Sequence, residues 1–118
     1  DVLTLAFASV GAIGVVSVVS NVMPAMVQSL IQACLKNDFA AARAIHEKLL
    51  PLSKGLLSLD TNPVPIKSAM QLLGRDSGAV RLPLVKATAA THKSIGELCK
   101  QAGLILKQSN AIQTETVH

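Results

Sequence analysis

Aromatic side chains are almost absent from this sequence. Phe7 and Phe39 are the only two among 118 residues, and there is no tryptophan or tyrosine. A folded core must therefore be aliphatic, and the chain lacks the aromatic platforms on which proteins stack single-stranded bases. The eleven lysines and arginines give a net charge of +4 and are spaced singly along the chain. Because phosphate backbones are bound by basic patches or stripes, we predict no nucleic-acid partner.

Cysteine is scarce as well. Cys34 and Cys99 lie far apart in the sequence, each among apolar residues with helical spacing. A disulfide framework or a metal site needs a cluster of partner residues that this sequence does not offer. We therefore predict two free, buried thiols in a reducing compartment. The first ten residues also lack the basic start and cleavage site of a secretory signal, so we expect a cytoplasmic protein.

Recognised catalytic motifs are missing too. The sequence has no zinc-protease, redox dithiol, phosphate-loop or serine-hydrolase pattern. Lys67 follows two prolines at the start of a predicted helix and could in principle form a Schiff base if it were desolvated. A lysine in a first helical turn is more simply an exposed charge. From the residues alone we predict no catalytic residue, no metal and no cofactor, and we read all three histidines as ordinary polar side chains: His46, His92 and His118.

Charge is missing from one long segment, because residues 2–35 contain no Asp, Glu, Lys, Arg or His. Such a length of apolar sequence could form a membrane-spanning helix. Gly11 and Gly14 interrupt it, however, and four valines at positions 15, 16, 18 and 19 favour an extended backbone. A short apolar run bounded by turn-forming residues is typical of a strand buried on both faces. We therefore predict a strand at residues 12–18 rather than a membrane span.

The remaining pattern is helical. Asp1 could cap a helix over residues 1–10 through its carboxylate. Apolar residues with helical spacing predict four further helices, the second of them capped by Asp38 and ended by about residue 59, and the last ended by Gly103. Their predicted bounds are residues 24–36, 39–59, 66–73 and 85–102, followed by a polar tail at 108–118.

This order of elements leaves one strand without partners. The backbone amides and carbonyls of a single buried strand need neighbouring strands on both edges. The sequence therefore indicates a fragment of a larger fold, an intimate oligomer, or a helical rearrangement of the segment.

Several motifs together resemble one known family. Asp38-Phe39-Ala40, Asn62-Pro63-Val64-Pro65-Ile66-Lys67 and Val80-Arg81-Leu82-Pro83-Leu84 occur in this order after the Gly11–Asn21 stretch. This sequence is similar, over residues 1–105, to the dihydrodipicolinate synthases, also called 4-hydroxy-tetrahydrodipicolinate synthases. The resemblance implies the C-terminal part of a (β/α)8 barrel, predominantly α-helical as an isolated chain. Residues 1–36 would be the end of the barrel, 37–105 a C-terminal helical region and 106–118 a tail.

The resemblance also implies an activity. Members of the family bind pyruvate as a Schiff base on a lysine and condense it with aspartate semialdehyde, on the way to diaminopimelate and lysine. Val16 would correspond to a residue of the pyruvate pocket, often isoleucine in relatives. The Schiff-base lysine and the other catalytic groups lie upstream of Asp1 in the family, so this chain alone is expected to be inactive. Full-length relatives are usually tetrameric, which implies a homo-oligomer. Two alternatives remain: a helical interaction or assembly module, and a small membrane-anchored protein.

Overall fold

Five α-helices and one 3₁₀ turn make up the ordered framework in the computed structural model, which describes residues 1–107. The predicted tail at 108–118 lies outside the described residues. The turn, Val19–Asn21, lies between the first two helices in the sequence and packs against the second, third and fourth helices. The helices are α1 (Thr4–Ser9), α2 (Pro24–Leu35), α3 (Phe39–Ser58), α4 (Val64–Leu72) and α5 (Ala89–Gln101).

The core is aliphatic, as the lack of aromatic residues predicts. The longest helix, α3, lies at its centre and contacts all four other helices. Burial of these side chains is the main force that holds the helices together, because short helices are marginal in water without it. The core residues are Val19, Val22, Val27, Leu30, Cys34, Ala42, Leu49, Leu52, Leu56, Ile66, Ala69, Ile95 and Cys99.

The ends of α3 and α4 follow local sequence signals. The Asp38 carboxylate accepts a hydrogen bond from the Ala41 amide at 3.0 Å and caps the first turn of α3, as predicted. Helix α4 ends before Gly74, whose φ of 71° is in the left-handed region that glycine adopts without strain. The predicted end of α3 by residue 59 is also confirmed, since the helix stops at Ser58.

The last helix is shorter than predicted. It begins at Ala89 rather than at residue 85, because the Thr88 hydroxyl accepts a hydrogen bond from the Thr91 amide at 3.2 Å and caps the helix there. After α5 the chain returns to α4, where the Lys107 amide donates to the Leu72 carbonyl at 2.8 Å. The described part of the chain therefore ends attached to the helical core.

The predicted strand is not formed within residues 1–107. Residues 12–17 adopt neither helix nor strand. A strand is stabilised by hydrogen bonds to a neighbouring strand, and no described segment provides one. Residues 13–16 accordingly make no backbone hydrogen bond to any other described residue. The first helix is also shorter than the predicted 1–10, and Asp1 does not cap it, since no side chain caps its N-terminus.

Candidate functional site

The valine implied to contact pyruvate lies on this unpaired segment. Val16 is completely exposed, with 103% of its reference surface accessible. It lines an open cavity of about 390 Å³ together with residues of α1 and of the segment before α1, among them Phe7 and Leu3. One exposed valine is ordinary on a protein surface, but an exposed patch of several large apolar side chains is informative. Val16, Leu3 and Phe7 therefore form an exposed apolar surface along this cavity.

Further apolar side chains extend the same exposed surface. Leu3, Phe7 and Val10 have the spacing of one face of α1, and each is more than half exposed. Ile13 is 82% exposed on the segment that follows. We call Leu3, Phe7, Val10, Ile13 and Val16 the apolar strip. Leu3, Phe7 and Val16 line one open cavity, and contiguous exposed apolar surface of this kind marks an interaction site.

The carboxylate of Asp1 binds the far end of the segment. Its Oδ2 accepts hydrogen bonds from the amides of Val18 at 2.7 Å and Val19 at 3.0 Å. Its Oδ1 accepts one from the Ser17 hydroxyl. The prediction that Asp1 caps the first helix is therefore wrong, because its carboxylate caps the 3₁₀ turn instead. Sequence reasoning missed this because the partners are 16 to 18 residues away.

Lys67 is part of an ion pair. Its Nζ lies 2.8 Å from Asp76 Oδ2, and both side chains are partly exposed. Lys67 is therefore the partly exposed partner of a carboxylate, whereas the sequence predicted an exposed side chain. Next to it, Ser68 Oγ and His92 Nδ1 lie 2.6 Å apart and connect α4 to α5. No local pattern in the sequence predicts that contact.

We expect the Lys67–Asp76 pair to make stability depend on pH. The hydrogen bond from Lys67, followed by that from the Gly78 amide, lowers the pKa of Asp76. A carboxyl whose pKa is lower in the folded state contributes stability above its unfolded-state pKa of about 3.9, and loses it as pH falls through the folded value. The difference in unfolding free energy between wild type and Asp76→Asn, measured by urea unfolding, should therefore be larger at pH 7 than at pH 2.5. An equal difference at both pH values would contradict this.

Both thiols are buried and free, as predicted. Burial raises the pKa of Cys99 and of Cys34, so both are protonated at neutral pH. Residues 1–107 contain no group of three His, Cys, Asp or Glu side chains arranged to hold a metal ion. Within the same residues no helix combines the length and the apolar character needed to cross a bilayer.

Solved structures resemble this chain closely. A dihydrodipicolinate synthase from Aquifex aeolicus superposes with a TM-score of 0.87 at 42% identity, over 92% of this chain and 36% of that one. The enzyme from Thermotoga maritima gives a TM-score of 0.85 at 37% identity, over 89% of this chain and 35% of that one. The fold is therefore the C-terminal part of a (β/α)8 barrel, predominantly α-helical as the chain stands.

The sequence comparisons name the family. The family model of the dihydrodipicolinate synthetase family matches residues 1–102, so the chain belongs to that family. The 4-hydroxy-tetrahydrodipicolinate synthase of Sorangium cellulosum is 48% identical over 101 residues, 86% of this chain and 33% of its own length. That of Methanocaldococcus jannaschii is 40% identical over 105 residues, 89% of this chain and 36% of its own. The chain spans about a third of the length of these curated relatives.

Proposed function

We propose that this chain is part of a 4-hydroxy-tetrahydrodipicolinate synthase, a lyase that condenses pyruvate with aspartate semialdehyde in the biosynthesis of diaminopimelate and lysine. Residues 1–36 complete the end of the barrel, residues 37–105 form a helical region beside it, and 106–118 are a tail. The chain supplies one wall of the pyruvate pocket through Val16. It supplies no catalytic group, and it requires no cofactor.

The apolar strip is the observation that carries this proposal. Its five side chains are exposed, while residues 13–16 of the segment that bears Ile13 and Val16 make no backbone hydrogen bond to any residue that the structure describes. Exposed apolar side chains and free backbone groups on one segment are what a strand has when its neighbours are removed. Neighbouring barrel strands satisfy both needs at once.

Two observations support the proposed inactivity of the isolated chain. Lys67, the one lysine that the sequence singles out, is paired with Asp76, and no lysine is among the described residues that line the cavity beside Val16. We propose that the lysine comes from the part of the parent enzyme upstream of Asp1. We also propose a cytoplasmic, homo-oligomeric parent enzyme, since the family is usually tetrameric and part of the apolar strip lies on α1.

A chimera tests the proposal. This chain replaces the matching 101 residues of the Sorangium cellulosum synthase, with which it shares 48% identity. We expect the purified chimera to condense pyruvate with aspartate semialdehyde, and to trap pyruvate covalently with borohydride on a lysine of the Sorangium part. A folded chimera that does neither would refute the proposed function.

The isolated chain is the matched control. Incubated with pyruvate and borohydride under the same conditions, it should show no pyruvyl adduct by intact mass. An adduct on any of its own lysines would contradict its proposed inactivity.

One observation favours the second candidate, a helical interaction or assembly module. Helices α2 to α5 form a continuous core, and no buried side-chain nitrogen or oxygen among the described residues lacks a hydrogen-bond partner. A helical unit with a satisfied core can fold by itself. Inactivity of the chimera, together with cooperative unfolding of the isolated chain, would favour this alternative.

A further inference from the structure

We propose that Asp1 is a positioning residue for the pyruvate pocket: its carboxylate fixes the backbone that carries Val16. This inference rests on the proposed function, because it concerns the same pocket. It goes beyond that function by assigning a role to a residue that lies outside the pyruvate contact itself.

The hydrogen bonds of the segment carry the argument. At its start, the Ala12 amide donates to the Phe7 carbonyl at 3.0 Å. Residues 13–16 then have no backbone hydrogen bond to any described residue. The next attachment is the set of three bonds from Ser17, Val18 and Val19 to Asp1. Asp1 therefore determines the direction in which the chain leaves Val16.

The chemistry of the attachment suits a positioning role. Hydrogen bonds to a carboxylate are shorter and roughly twice as strong as those between neutral groups. Ser17 is held on both sides, because its Oγ also accepts from the Ser20 amide at 2.9 Å, and its carbonyl accepts from the Ser20 hydroxyl at 3.0 Å. The residue directly after Val16 is thus fixed between a carboxylate and a turn.

The cavity connects this anchor to the pocket. Asp1 and Val16 line the same open space of about 390 Å³. In the parent enzyme, neighbouring strands would pair with residues 13–16, whereas Asp1 holds residues 17–19. When Asp1 is truncated, the end of the segment loses three hydrogen bonds at once, so the backbone directly after Val16 can shift. A displacement of about 1 Å in a group that positions substrate can cost roughly 100-fold in rate. We expect the effect to fall on pyruvate, whose pocket Val16 lines, and not on aspartate semialdehyde.

The test compares Asp1→Ala with two other variants. Asp1→Asn is the conservative variant, since the asparagine Oδ1 can accept from the backbone amides of Val18 and Val19 while its Nδ2 donates to the Ser17 hydroxyl oxygen. Asp38→Ala is the matched control, because it also removes an aspartate that caps a helical turn, but at α3. In the chimera, Asp1→Ala should raise the KM for pyruvate by roughly 10- to 100-fold. Asp1→Asn should recover most of this loss, and Asp38→Ala should lower Tm without changing either KM.

The result that overturns the proposal is a KM for pyruvate that stays unchanged in Asp1→Ala while Tm falls as it does in Asp38→Ala. A second measurement uses the 118-residue chain itself. Amide hydrogen exchange at Val18 and Val19 should be at least about tenfold faster in Asp1→Ala, and unchanged in Asp38→Ala. Unchanged exchange in both variants would refute the anchor even if the chimera were inactive. An inactive wild-type chimera with the expected exchange pattern would refute only the proposed function.

Discussion

Truncation of Leu56 to alanine is expected to lower the free energy of unfolding by about 2–5 kcal/mol. Leu56 is fully buried in α3 and belongs to the cluster that also contains Ile95 and Cys99 of α5. Removing its branched end loses apolar burial and leaves a cavity that the surrounding side chains close only partly. Because small domains have only about 5–15 kcal/mol of stability, this loss is a large part of the total.

The next residue provides the control. Leu57 is 41% exposed on the same helix, and its truncation should cost less than about 1 kcal/mol. The two variants share helix, residue type and change in helix propensity, so the difference between them reports burial alone. Urea unfolding followed by circular dichroism measures both. Equal losses at the two positions would contradict the packing of α3 against α4 and α5.

In the active chimera, Val16→Asp should raise the KM for pyruvate by about 100-fold or more. Pyruvate is a carboxylate, and a second negative charge beside it costs several kcal/mol in a site with little water. Steady-state kinetics with pyruvate as the varied substrate measures the effect. The KM for aspartate semialdehyde should change much less, because we propose that Val16 lines the pyruvate pocket alone.

Two substitutions control for this effect. Val16→Ile keeps an apolar wall and adds one methylene, and isoleucine is the residue that the family resemblance implies for many relatives, so the KM should stay within about tenfold. Val85→Asp adds the same charge to another exposed valine, on the segment before α5, and should leave the KM unchanged. If Val16→Asp and Val85→Asp behave alike, Val16 is not part of the pocket.

Features that depend on neighbouring residues were predictable from the sequence. Asp38 caps α3 because its carboxylate reaches an amide three residues away. Gly74 follows the end of α4 because it takes a left-handed φ at no cost. The buried thiols were predictable as well, since the spacing of apolar residues places Cys34 and Cys99 on the inner faces of their helices. The predicted start of α5, residue 85, was wrong by four residues, because Thr88 was not recognised as the N-cap of this helix.

Features that depend on distant residues were not predictable in this way. The apolar, β-branched composition of residues 12–18 predicted a buried strand, but none of these residues is buried and the segment forms no strand, because no described residue pairs with it. The partners of Asp1, 16 to 18 residues away, and the contact of Ser68 with His92 became visible only in the folded chain.

The sequence by itself therefore determined the aliphatic core, most helix ends and, through its motifs, the family. These properties depend on side-chain chemistry and on periodicity within a few turns of helix. Tertiary structure alone decided that Asp1 anchors the Val16 segment, that Lys67 is held by Asp76, and that the apolar strip remains exposed. Each of these depends on which groups the fold brings together, and a local pattern carries no information about a partner that is distant in the chain.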